Sequence, residues 1–531
     1  MSQQIVRLIV TSDTHGHWLN RPENPNASLF NTATCIQNLK EKESDVTLTI
    51  DLGDFIQGSS FATYLSQERK EGNVIARAMN AIGFDYQLIG NHEFNFGQDY
   101  RDEIIQALDA KLLVSNIIDE KTNKPFLGEP YDIIEKNGIK IGIVGVTTSY
   151  IPNWELPAHY EGLRFDDAFE TAKYYVDVVR DQVDLVILAY HGGFERDLVS
   201  NDPLEELTKE NQGSEMLAGI EGVDVLLTGH QHRELNQQVD QTYVIQPGSV
   251  GEIVAEVEIT LDDDKQVSFM NGTLHNTDHC KADDTLREVM QPEITEGNTW
   301  LNTVLGVAPL NQVANNPLEA RIKGHPFIEF LNQIQFDETG ADFSSVALVN
   351  DAFVNFHGEI TNEVLLKSYP FYNLIAKVNV MGKDLYEVME FNLEYLIVNN
   401  QNQIDVNPEY IQPKPKHYNF DVYSGMTTTV DITQPVGRRV KSIINDQTGE
   451  LIDEQATYSV ALSQYRAVGG GDFKWYGKEK IESISTIDIA TIMKEALKDY
   501  SEDRWNQINS DYQHVTWQPE LKLADMSNAL E

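Results

Sequence analysis

Phe84-Asp85-Tyr86-Gln87-Leu88-Ile89 runs directly into Gly90-Asn91-His92-Glu93-Phe94-Asn95. The first six residues read as a buried strand, the next six as the loop it exits into. A neutral amide beside a histidine at a strand's exit is a poor choice for packing. It suits a place where Asn91 offers a carbonyl oxygen to a metal and His92 faces a reacting group. Asn and His are also ordinary turn residues, so the stretch gains meaning only from partners elsewhere.

Those partners stand at the ends of other apolar runs. Ile5–Ser12 exits into Asp13-Thr14-His15-Gly16-His17, and Val46–Asp51 into Gly53-Asp54. The run Asp184–Tyr190 exits into His191-Gly192-Gly193, and Val223–Leu227 into Thr228-Gly229-His230-Gln231-His232. Each of the five exits carries a glycine beside a metal-capable side chain, which allows close backbone approach. In α/β sheets ligands gather at the carboxyl ends of strands, so the five loops would share one crevice. Taken singly, Asp-X-His and Gly-Asp are common loops and His191 would be a structural histidine. Packing does not explain the ordered conjunction. His17, His159, His275, His279, His325, His357, His417 and His514 fit no motif and read as structural.

The donors are carboxylate, amide oxygen and imidazole without sulfur, which suits Mn²⁺, Zn²⁺ or Fe. Asp13, His15, Asp54, Asn91, His191, His230 and His232 are too many for one ion with open positions. They suit two ions sharing a bridge, with Asp54 the natural bridging carboxylate. Two ions about 3.5–4 Å apart clamp the attacking and leaving oxygens of a phosphoryl displacement and make water a nucleophile at neutral pH.

The 531 residues are too many for one core and predict two domains, or three. The 83 Asp+Glu against 40 Lys+Arg give a formal net charge of -43. Such a surface repels polymeric nucleic acid and anionic membrane, leaving a small anionic substrate whose cleft overrules the far field. Cys35 and Cys280 provide neither a disulfide framework nor a thiolate cluster. The N-terminus has no signal-peptide pattern, and no apolar run has the length of a membrane span, so a cytoplasmic protein is expected, or an extracytoplasmic one only if a signal was removed. Oligomeric state is not legible.

The first half alternates short apolar runs with helical stretches, the α/β pattern. Strands are predicted at Ile5–Ser12, Val46–Asp51, Tyr86–Ile89, Leu112–Ser115, Ile141–Val146, Leu185–Ala189, Val225–Leu227 and Tyr243–Gln246, with Ile253–Leu261 and Val267–Asn271 as an antiparallel ribbon. Between Cys280 and Gly297 the chain turns polar, with Ala282–Gln291 helical and Pro292 and Gly297 as breakers. The domain link is placed there. Beyond it an amphipathic segment, Leu318–Gln335, precedes strands at Ser345–Val349, Leu374–Val380 and Thr457–Leu462 and helices near Lys383–Asn392 and Ile487–Asp499.

Asp13-X-His15, Gly53-Asp54, Gly90-Asn91-His92-Glu93, His191 and Gly229-His230-Gln231-His232 resemble the calcineurin-like metallophosphoesterase superfamily. Within it, the chain is most similar to the 5'-nucleotidase and 2',3'-cyclic-nucleotide phosphodiesterase family, over nearly its whole length. The resemblance implies an α/β fold: a four-layer β-sandwich flanked by helices over 1–281, a linker helix or hinge at 282–299, a smaller α/β nucleotide-binding domain at 300–518 and a tail at 519–531. It implies one metal on Asp13, His15, Asp54 and His232, a second on Asp54, Asn91, His191 and His230, and His92 as the catalytic histidine at the leaving group. It also implies that the C-terminal domain swings on the linker to deliver its substrate.

In that domain, Tyr369-Pro370-Phe371-Tyr372-Asn373 and Tyr465-Arg466-Ala467-Val468-Gly469-Gly470-Gly471-Asp472-Phe473 stand out. By residue type alone they are an aromatic core strand and a flexible turn. The resemblance makes Phe371 and Tyr465 a sandwich for a nucleobase, with Asn373 and Asp472 as polar contacts. Two departures bear on substrate. Where 5'-nucleotidases have an aspartate partnering the catalytic histidine, this chain has Asn95; and the stretch Asn350–Asn355 lacks their phosphate-gripping arginine. Both features, with Phe420–Gly425 and Asp431–Pro435, resemble the branch of 2',3'-cyclic-nucleotide 2'-phosphodiesterases with 3'-nucleotidase activity. The expectation is a dimetal hydrolase of that branch, acting on small nucleotides with Asn91, His92 and Asn95 in catalysis. The alternatives are a 5'-nucleotidase or nucleotide-sugar hydrolase, and a non-catalytic nucleotide- or metabolite-binding protein.

Overall fold

The computed structural model describes residues 4–21, 24–205, 207–314, 316–350, 353, 355–411 and 415–524. They form two compact units, 1–299 and 300–531.

Unit 1 is built on two six-stranded sheets. The first comprises β1 (Gln4–Thr11), β2 (Val46–Asp51), β3 (Tyr86–Gln87) and β4 (Lys111–Leu112). The second comprises β5 (Tyr131–Lys136), β6 (Ile139–Thr147), β7 (Leu185–His191), β8 (Val225–Thr228), β9 (Glu234–Val239) and β10 (Thr242–Pro247). The hairpin β11 (Ile253–Leu261) and β12 (Val267–Asn276) returns to the first sheet. The strand orders are β12-β11-β1-β2-β3-β4 and β9-β10-β8-β7-β6-β5. β1 to β4 run parallel, as do β6, β7, β8 and β10.

Strand periodicity explains the layering. Val6, Leu8 and Val10 of β1 share one apolar core with Ile141 and Ile143 of β6, Ile187 and Ala189 of β7, and Val225 and Leu227 of β8. The alternate residues Val144, Val186, Leu188 and Leu226 face outward, against Val176 and Val179 of a covering helix, Ala168–Arg180. Because successive side chains point to opposite faces, a sheet apolar on both must be sandwiched. The four-layer architecture follows.

Pro292 and Gly297 do not break the chain; both lie inside the helix Gln291–Leu301. Proline is tolerated in a first turn, where its missing N–H would have no partner. A Cβ at Gly297 would stand 2.6 Å from the Phe61 ring, so glycine here permits close packing. Arg69 and Arg77 reach Glu293 at 3.4 and 3.0 Å, tying this helix to unit 1.

Unit 2 centres on a five-stranded sheet of β13 (Phe343–Ala347), β14 (Leu374–Met381), β15 (Asp421–Ser424), β16 (Thr457–Ser463) and β17 (Ile481–Asp488), in the order β15-β13-β16-β14-β17. The expected segment Leu318–Gln335 is two helices, Pro317–Lys323 and Pro326–Thr339. His325 caps the second by accepting the Phe327 N–H, and Pro326 opens it. Of the tail, only 519–524 lie within the described residues, with a two-residue strand, Lys522–Leu523. Among the described residues no helix is long and apolar enough to cross a membrane.

Candidate metal centre

The loops of interest begin where β1, β2, β3, β7 and β8 stop. Asp13 (φ 51°), His15 (50°), Asp54 (59°), His230 (66°) and His232 (58°) are all left-handed. That conformation costs a non-glycine residue about 1–3 kcal/mol and persists where surrounding structure enforces it. The turns bring the loops into contact. A Cβ at Gly90 would lie 2.2 Å from Asp54 Oδ1, and one at Gly229 2.1 Å from Ser12 Oγ. Only glycine allows either approach.

Two groups of side chains converge. Asp13, His15 and His232 bring ligand atoms within 4.8 Å of one another, as do Asp54, His191 and His230. Asn91 Oδ1 lies 2.8 Å from His230 Nδ1 and 3.3 Å from His191 Nε2, placing the amide oxygen in the second group. His15 Nε2 meets His232 Nε2 at 2.9 Å in the first.

Outer contacts fix which nitrogen points inward. His15 Nδ1 lies 2.8 Å from the Gln57 carbonyl oxygen, and His191 Nδ1 2.8 Å from that of Leu52. A carbonyl only accepts, so each neutral ring carries its hydrogen on Nδ1 and turns a bare Nε2 inward. His230 is held the other way round. Its Nε2 faces the Glu210 carboxylate at 3.2 Å, leaving Nδ1 for the cluster.

These residues fit a pair of cations. Asp54 Oδ1 accepts the His92 N–H at 2.7 Å, whereas buried Oδ2 has no hydrogen bond of good geometry and faces the His191 imidazole, whose Nε2 stands 3.1 Å away where a cation would sit. A buried carboxylate oxygen without a donor is costly unless a cation meets it. Burial alone would raise the Asp54 carboxyl, but the imidazoles of His191, His92 and His15 hold it well below the usual range. Burial likewise opposes charge on His191, and Asp54 overrides it, raising the imidazole to about 10. The pocket draws positive charge.

Glu93 organises this frame from behind. Fully buried, it accepts the N–H groups of Asp54 (2.7 Å), Phe55 (2.7 Å), Ile56 (3.2 Å) and Gly90 (2.6 Å). Only an acceptor-only carboxylate matches those donors. Glu93→Gln would aim an amide N–H₂ at them. It is expected to destabilise unit 1 by about 1–3 kcal/mol and to weaken metal retention, read by thermal unfolding and metal content. Unchanged values would contradict that role.

His92 contributes no atom to either group. Its ring sits edge-on to His15, centroids 5.0 Å apart. Its Nδ1 lies 2.6 Å from Asn95 Oδ1; Asn95 Nδ2 donates to Glu155 Oε1, and Glu155 Oε2 meets His159 Nδ1 at 2.8 Å. Glu155 follows a short turn, Ile151–Asn153, and its neighbour Trp154 stacks on His230 with centroids 5.5 Å apart. Glu155, Glu210 and Trp154 carry no sequence signal, because they reach the site from loops distant in the chain. His159, read as structural, joins this outer network.

In unit 2, Ile375 of β14 pairs with Ser463 of β16, so Phe371 and Tyr465 lie just beyond the same end of the sheet. Phe371 is 44% exposed. A Cβ on Gly470 would stand 2.7 Å from two atoms of the Tyr465 ring, so the glycine segment covers one face of that ring. Buried Arg466 holds this segment, with both oxygens of Asp421 at 2.8 and 3.1 Å and its guanidinium 3.8 Å from the Phe473 ring centroid. The backbone carbonyl of Asn373 accepts the Ile489 N–H at 2.9 Å. Asp472 lies on the glycine turn at φ 66°. The stretch expected to lack an arginine, 350–355, falls partly outside the described residues, at 351, 352 and 354.

A two-sheet sandwich with carboxylate, amide and imidazole ligands at its strand ends defines a metallophosphoesterase. Residues 6–234 match the calcineurin-like phosphoesterase family, and residues 304–478 the 5'-nucleotidase C-terminal domain. A solved structure described as a putative 5'-nucleotidase from Staphylococcus aureus in complex with alpha-ketoglutarate superposes with a TM-score of 0.89 at 30% identity, covering 97% of this chain and 100% of that one. The 2',3'-cyclic-nucleotide 2'-phosphodiesterase/3'-nucleotidases of Salmonella typhimurium and Yersinia enterocolitica are 26% and 25% identical, each over 88% of this chain and 81% of its own. The chain belongs to the calcineurin-like phosphoesterases that carry a 5'-nucleotidase C-terminal domain. It is a phosphoric ester hydrolase.

Proposed function

We propose that the protein opens 2',3'-cyclic nucleotides at the 2' ester and then removes the remaining 3'-phosphate. The observation that carries the reading is the convergence of seven metal-capable side chains beside a histidine that stands outside both groups. The names of the Salmonella and Yersinia relatives, and an amide at position 95, support the branch. Asp13, His15, Asp54 and His232 would hold one divalent ion and Asp54, Asn91, His191 and His230 the other, Mn²⁺ or Zn²⁺ by donor type. When bound, the ions supply Lewis-acid polarisation of the phosphate and activation of the attacking water. Asn91 orients the phosphoryl group. His92, with its Nδ1–H committed to Asn95, acts as the imidazolium: its Nε2–H is given to the ribose oxygen as the P–O bond breaks, leaving the neutral ring protonated on Nδ1.

The test is a comparison of a 2',3'-cyclic nucleotide, a 3'-nucleotide and a 5'-nucleotide, with Mn²⁺ and Zn²⁺ supplied separately. Faster turnover of the first two is expected. A clear preference for the 5'-nucleotide would favour the second reading, a 5'-nucleotidase, which the Staphylococcus aureus relative supports. Inertness towards all three and towards aryl phosphates would leave a binding protein.

Phe371 and Tyr465 offer their rings to the base. Phe371→Ala is expected to raise KM for nucleotides by about 5–150-fold, the equivalent of one lost stack of about 1–3 kcal/mol. The rise for p-nitrophenyl phosphate, which has no base, should be much smaller. Equal changes would remove Phe371 from base recognition.

A further inference from the structure

We infer that Glu155 is the positioning residue of the leaving-group histidine, acting through Asn95. The inference rests on the proposed role of His92. Asn95 can present either its oxygen or its nitrogen to His92, because the two ends of an amide have the same shape. A carboxylate behind it removes the choice. An ionised carboxylate only accepts, so Asn95 turns Nδ2 towards Glu155 and Oδ1 towards His92 Nδ1. The oxygen in turn requires a hydrogen on His92 Nδ1, leaving Nε2 for the substrate. Glu155 is itself held: its second oxygen meets His159 Nδ1 at 2.8 Å, and its side chain is only 9% exposed.

The site thus has a carboxylate behind its histidine, displaced by one amide. The neutral residue at 95 transmits an orientation that its own chemistry cannot set. The same short stretch places Trp154 against His230, so it steadies a metal ligand and the leaving-group histidine together. Residues in such outer positions typically matter by 10–100-fold.

The donor and acceptor pattern gives a sharp test. Asn95→Asp alone sets two carboxylates against each other at hydrogen-bond distance. Glu155→Gln alone leaves one oxygen to serve both Asn95 Nδ2 and His159. The double variant Asn95→Asp/Glu155→Gln satisfies every partner again: Asp accepts from His92 and from the Gln amide, and the Gln oxygen accepts from His159. Each single variant is expected to lose about 10–100-fold in kcat on a 2',3'-cyclic nucleotide, and the double variant to recover most of it. The losses should be at least several-fold smaller on an aryl ester, whose phenolate leaves with little protonation.

Metal content and thermal unfolding of each variant separate this effect from misfolding, and Glu155→Asp tests whether a shorter carboxylate rescues. Equal losses on both substrates, or a double variant no better than Asn95→Asp, would overturn the inference. His92→Ala, measured beside them, separates the two levels. If it shows leaving-group sensitivity and the Glu155 variants do not, the inference alone falls. If His92→Ala shows none, the assignment of His92 falls and takes the inference with it.

Discussion

Asp54→Asn is expected to abolish turnover of every phosphoester tested and to release bound metal. Asp54 is buried in the group with His191 and His230, with Oδ1 on the His92 N–H and Oδ2 3.1 Å from His191 Nε2, and the proposed pair of ions needs it as the bridge. An asparagine there must place its N–H₂ either against the His92 N–H, donor to donor, or into the ligand cluster in place of an oxygen. Neither end can bridge cations. The substitution also removes the charge that draws positive charge to His191. Metal content by mass spectrometry and activity with excess Mn²⁺ would check it. A variant that keeps its metal and a tenth or more of its activity would mean that Asp54 does not bridge.

His92→Ala is expected to lower kcat by about 10²–10⁴-fold, the usual worth of a positioned acid, while metal content stays at the wild-type level. The reason for the split is geometric. The Asp54 contact is made by the backbone N–H of residue 92, which alanine retains, whereas the ring contributes to neither ligand group. Loss of metal alongside activity would instead make His92 part of the ligand frame.

Much of this site was legible in the sequence because its parts are local. Asp13-X-His15, Gly53-Asp54 and Gly90-Asn91-His92 each follow an apolar run, and β-periodicity makes those runs visible. The structure ends β3 at Gln87: the Leu88 N–H makes the last bond to the neighbouring strand, at the Asp51 carbonyl, before the chain turns to bring Gly90 against Asp54. Pro292 and Gly297 do not act as breakers because their effect depends on position and neighbours. A first-turn proline costs little, and the glycine is explained only by the Phe61 ring beside it. Glu93 stood inside the quoted motif, yet its four N–H partners come from two separate loops. Glu155 and Glu210 were invisible for the same reason at longer range. Each touches its partner across a separation that no spacing rule spans. In unit 2 the strand order β15-β13-β16-β14-β17 departs from chain order, so the shared position of the Phe371 and Tyr465 loops emerges only from register.

On the proposed mechanism, two divalent ions held by these seven side chains are needed to hydrolyse a nucleotide phosphoester. The direct measurement is a titration of chelator-stripped protein with Mn²⁺, following bound metal and turnover of a 2',3'-cyclic nucleotide together. No turnover is expected in the stripped protein, and full activity at two equivalents per chain. Full activity at one equivalent, or in the stripped protein, would contradict that mechanism.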